Sequence, residues 1–114
     1  MKKLTFACLA AVASCCTYAA AACQNPAMVS IPDGKSSTLD QMVAAQTQVK
    51  AYMAAMQEFL SCVDNEASAK GENAPAEYKS LMVTRHNTAV GEMEAVAAAF
   101  NEQLKAYKAA NPAK

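Results

Sequence analysis

Apolar residues recur from Leu39 onward in steps of three and four: Leu39, Met42, Val49, Met53, Met56, Leu60 and Val63, with Gln46 the one polar member of the column. That period belongs to a helix with one buried seam. Thr38-Leu39-Asp40-Gln41 opens it with the spacing of a capping box, and Asp40 suits the positive end of the helix dipole. Lys70 and Gly71 suit its end. The pattern predicts a helix over 38–69, roughly 45 Å long. A second apolar strip, Ala45, Tyr52 and Phe59, falls about 100° round from the first, with Ala55 and Cys62 further round. One helix therefore presents two adjoining faces, and a single partner helix cannot cover both.

The period resumes after Gly71-Glu72-Asn73-Ala74-Pro75, a turn in which Asn73 can cap and Pro75 fits a first helical turn. Tyr78, Met82, Arg85, Ala89, Met93, Val96, Phe100, Leu104 and Tyr107 share one face of a helix predicted over 75–109, ended by Asn111-Pro112. Gly91 lies off that face. A short turn makes the helices antiparallel neighbours. With the turn centred near residues 70 and 71, Leu60 is expected beside Met82, Met53 beside Ala89 and Met42 beside Phe100. A lone hairpin buries little, so a staple or self-association to a four-helix bundle is expected to complete the core.

Ahead of the first helix the pattern breaks. Lys2 and Lys3, the apolar run Leu4 to Ala13 and Ala20-Ala21-Ala22 read as a secretory signal over 1–22, cut before Cys23. The run is too short to span a bilayer. The competing reading is a lipoprotein signal, with Val12-Ala13-Ser14 preceding a lipidated Cys15. Cysteine parity favours the first, because a cut near residue 22 leaves Cys23 and Cys62 as an even pair while a cut at Cys15 also leaves Cys16. An exported, periplasmic chain follows.

Residues 23–37 hold Pro26, Pro32 and the Asp33-Gly34 turn pair, so they form an extended strap, and Met28, Val29 and Ile31 can cover the second strip. From Thr38 to Cys62 the helix runs roughly 36 Å. The strap spans about 46 Å in polyproline form, long enough to bring Cys23 back to Cys62. A disulfide between them contributes roughly 4 kcal/mol in the chain-entropy model. Two free thiols are the alternative. The fold class expected is all-α: an antiparallel two-helix hairpin over 38–114 with an N-terminal strap tied to its first helix.

Cys23, Pro26, Ile31-Pro32-Asp33-Gly34, Met42-Val43-Ala44-Ala45-Gln46, Tyr52, Leu60 and Cys62 together resemble a group of small exported alanine-rich bacterial proteins. The likeness implies a signal peptide, a proline-containing strap and two helices. It carries no activity and no site residue.

Charge and chemistry then narrow the function. Removing Lys2 and Lys3 takes the basic count from 10 to 8 against 10 acidic residues, with no basic cluster left for nucleic acid. His86 is the only histidine and has no ligand companion at helical spacing. Met53 and Met56 share a face that could attract Cu(I), yet the five helical methionines lie on core columns where flexible apolar side chains belong. No nucleophile has a base and an orienting group near it in sequence, and Asp64, Glu66, Glu92, Glu94 and Glu102 fall mainly on outward faces. The sequence assigns no catalytic, cofactor or metal residue and points away from an enzyme. It favours a structural or protein-interaction module of the cell envelope, partnering itself or another envelope protein. The alternative is a periplasmic protein binding copper or a small ligand, or acting in stress.

Overall fold

The computed structural model describes residues 23–113. The expected signal over 1–22 and the alternative lipidation site at Cys15 lie outside them. The described residues form two helices, α1 (Leu39–Lys70) and α2 (Ala76–Ala110), and no strand. Residues 23–37 form the extended segment ahead of α1, with a hydrogen-bonded turn at Asp33.

The ends of α1 form for the expected reasons. The Gln41 N–H donates to Thr38 Oγ1 at 3.2 Å, and the Thr38 N–H donates to Gln41 Oε1 at 2.8 Å, closing the capping box. At the other end Gly71 has φ 75° and donates its N–H to the Ser68 carbonyl at 3.1 Å. That left-handed backbone favours glycine. The cap of α2 differs from expectation: Pro75, not Asn73, occupies the N-cap, and no side chain caps the helix. The Pro75 carbonyl accepts from the Lys79 N–H at 3.1 Å, so the proline supplies the preset φ and the first acceptor together.

Residues 71–75 make the turn, so its centre falls later than residues 70 and 71. The cross-helix contacts shift with it. Glu66 meets Tyr78 and Arg85, and Asp64 meets His86, partners further along α2 than a pairing of Leu60 with Met82 implies.

The enclosed column of α1 is Met42, Ala45, Val49, Tyr52, Met56, Phe59 and Val63. This is a clean alternation of three and four, a coiled-coil stripe. It takes every other member of the first strip, Met42, Val49, Met56 and Val63, and all three of the second, Ala45, Tyr52 and Phe59. Met53 and Leu60 are only half-buried and Leu39 is exposed, so the centre of the seam is turned toward the second strip. The strap is the cause. It adds Val29 and Ile31 to the cluster on one side, so the deepest positions lie where α2 and the strap both cover α1. On α2 the enclosed residues are Met82, Ala89, Val96 and Phe100, all on the expected column. Met56 and Val63 are the large side chains sealed entirely from solvent. Each such burial stabilises the fold by about 1.5–3 kcal/mol.

The strap runs alongside α2 in the same direction. The Cys23 carbonyl accepts from Arg85 Nη2 at 3.1 Å, Asn25 Nδ2 donates to Glu92 Oε2 at 3.1 Å, and the Gly34 N–H donates to Gln103 Oε1 at 2.8 Å. Asp33 then turns the chain into α1, accepting from Ser36, Ser37 and the Lys35 N–H. Gly34 is the point of closest approach. It is buried, and a Cβ there would overlap the Gln103 carbonyl oxygen and stand 2.9 Å from the Tyr107 nitrogen. Backbone proximity, not backbone conformation, requires glycine at this position.

Candidate functional site

An antiparallel pair of helices has a groove along each side. Cys23 and Cys62 are joined by a disulfide with Cα atoms 5.7 Å apart, fixing the start of the strap in one groove as the sequence led us to expect. At about 100° per residue, Met53 and Leu60 on α1 and Met93 and Leu104 on α2 turn toward the other groove. These four are half-buried against the core and stay uncovered by the strap.

Two consecutive residues of α2 reach across to α1 over opposite grooves. Arg85 crosses on the strap side. Its Nη1 lies 3.2 Å from Glu66 Oε2, its Nη2 donates to the Cys23 carbonyl, and its guanidinium carbon stands 5.7 Å from the centre of the Phe59 ring. It holds the strap, the helix pair and an aromatic floor in one contact set. The sequence placed Arg85 on the apolar column without a task. Its partners are 19 and 62 residues away along the chain, so no local signal could have found them.

His86 crosses on the open side, where its Nδ1 lies 3.3 Å from Asp64 Oδ1. No aspartate stands near His86 in sequence; the hairpin brings one. Both side chains remain well exposed, His86 by 41% and Asp64 by 63%, so the pair is a solvated clip between helices.

Beside this clip the open groove widens into a cleft of about 440 Å³ at the turn end of the hairpin. Ala67, Ala74, Tyr78, Met82 and Val83 form apolar walls, and Asp64, Lys79 and His86 form a polar rim. Tyr78 donates its hydroxyl to the Glu66 carbonyl at 3.2 Å, and Lys79 Nζ donates to the Glu72 carbonyl at 2.6 Å. Val83 in this wall is more than half exposed.

The methionines among the described residues divide by position. Met42, Met56 and Met82 are buried in the core, and Met28 is exposed, accepting from the Tyr52 hydroxyl at 3.6 Å. Met56 is sealed and Met53 half-buried, so of this pair only Met53 reaches solvent. Among the described residues no three His, Cys, Asp or Glu side chains converge to hold a metal ion. Burial pushes the Tyr52 phenol above its ordinary value, and the Glu92 charge adds to that. No helix among the described residues is long and apolar enough to cross a membrane.

The fold and its grooves define a disulfide-strapped helical hairpin. No protein-family model, no curated protein and no solved structure matches this chain.

Proposed function

We propose that this chain is a small exported, non-enzymatic module of the cell envelope that contacts another protein or a second copy of itself. The observation that supports this most is the groove away from the strap. Its half-buried Met53, Leu60, Met93 and Leu104 continue toward the open apolar cleft bounded by Met82 and Val83. Apolar surface left uncovered on so small a chain is the ordinary mark of a contact face. A photo-crosslinker at Leu60 or Val83 should capture a defined partner in the envelope, while one at the outward-facing Thr47 should not. Equal capture from all three positions refutes this reading.

A second reading is small-ligand binding in the 440 Å³ cleft, which is within the size range of small-molecule sites. Native mass spectrometry of freshly isolated protein separates the two. A bound small molecule lost on Met82→Trp favours the ligand, and a protein adduct without one favours the interaction module. Export itself rests on the N-terminal pattern, and intact mass distinguishes cleavage before Cys23 from a diacylglycerol adduct at Cys15.

A further inference from the structure

The two ends of the strap are held in different ways. At the Gly34 end, backbone lies directly on α2, the glycine is buried, and its N–H bonds to Gln103. At the Cys23 end the contacts are made by side chains: Arg85 Nη2 donates to the Cys23 carbonyl at 3.1 Å, and the Tyr52 hydroxyl donates to the Met28 sulfur at 3.6 Å. Asn25 to Glu92 is an exposed side-chain bond, and Gln24, Asn25, Ala27 and Met28 are exposed. Open hollows flank this end on both sides, about 250 Å³ toward α2 and about 520 Å³ toward α1, and both are bounded by Cys23 and Phe59. The disulfide sits between these hollows, and both of its cysteines are half-buried. The strap end is therefore retained by its covalent bond together with a few side-chain contacts, over a floor of Phe59 and Tyr52 that is otherwise sealed.

We propose that the Cys23–Cys62 disulfide is a redox latch whose reduction frees the first half of the strap and uncovers Phe59 and Tyr52, while Gly34 keeps the second half docked. The reductant is a dithiol able to enter a flanking hollow. One of its thiolates attacks a sulfur of the pair, forming a mixed disulfide and expelling the other cysteine as a thiolate, which takes up a proton. The second thiol of the reductant displaces the remaining cysteine, which is protonated in turn. The reductant leaves as its own disulfide, having passed two electrons and two protons to the protein. Freed of the bond, residues 23–28 regain their backbone freedom against three side-chain contacts, from Arg85, Glu92 and Tyr52. This inference is independent of whether the other groove binds a partner.

The test uses the purified, oxidised protein before and after dithiothreitol, with ¹⁵N relaxation for order and far-UV circular dichroism for helix. Order parameters at Gln24, Asn25, Ala27 and Met28 are expected to fall from about 0.85 to below about 0.6. Gly34, Lys35 and both helices should stay rigid, helical signal should hold, and reoxidation should restore the first values. Cys62→Ser should match the reduced state without reductant. Unchanged order at the strap start overturns the latch, because the strap then holds without its bond. Loss of helical signal on reduction overturns it too, because the disulfide is then a staple of the whole fold.

Discussion

Gly34→Ala tests the central packing feature of the molecule. The added methyl has nowhere to go. Its nearest neighbours are the Gln103 carbonyl oxygen, the Gln103 carbonyl carbon at 2.8 Å and the Tyr107 nitrogen at 2.9 Å, all backbone of α2. A flexible side chain could swing aside, but helix backbone cannot. The strap must lift, which stretches the Gly34 N–H bond to Gln103 Oε1 and loosens the packing of Ile31 behind it. Overpacking of this kind costs about 1–3 kcal/mol and the weakened hydrogen bond about 1 kcal/mol more, so the loss should be about 2–4 kcal/mol. Urea titration followed at 222 nm measures it, with the variant shifting the midpoint and leaving the slope unchanged. Gly34 has no positive φ, so the cost isolates close approach from backbone strain. A loss below about 0.5 kcal/mol would mean that the strap does not sit on α2 at this point.

Gly91→Ala is the matched opposite: the site is exposed, mid-helix and open around the new methyl, so urea titration should show a gain of about 0.4–1 kcal/mol. Met56→Ala should cost about 2–5 kcal/mol by the same assay, because Met56 is fully enclosed and its removal leaves a cavity. Stability should also fall in alkali. The folded Tyr52 phenol stays neutral to higher pH than the unfolded one, so its contribution is intact below about pH 10 and is lost as pH rises through the raised folded value. Denaturation midpoints between pH 8 and pH 11 check this, and Tyr52→Phe should flatten the decline.

The helical periodicity and the proline-containing segment led us to expect a strap and two helices, and the described residues have that architecture. Much of it was legible because the signals are local. The Thr38 capping box, Gly71 past the end of α1 and the column on α2 each depend on residues within a few positions of one another. The disulfide was legible for a different reason: parity and chain length left Cys23 one partner within reach. The cap of α2 was misplaced because Asn73 and Pro75 are both acceptable near a helix start, and only backbone geometry chooses between them.

Periodicity, capping and cysteine count thus determined the elements, their order and the covalent tie between strap and helix. Tertiary structure alone decided how far α1 is turned. The strap fills one groove and leaves the other open, so the deepest column takes in Ala45, Tyr52 and Phe59 and leaves Met53 and Leu60 at the margin. It alone paired Arg85 with Glu66 and His86 with Asp64, one on each side of the hairpin. A helical wheel shows that a helix has two apolar strips but not which neighbour covers each, since that depends on chain segments far apart in sequence meeting in space.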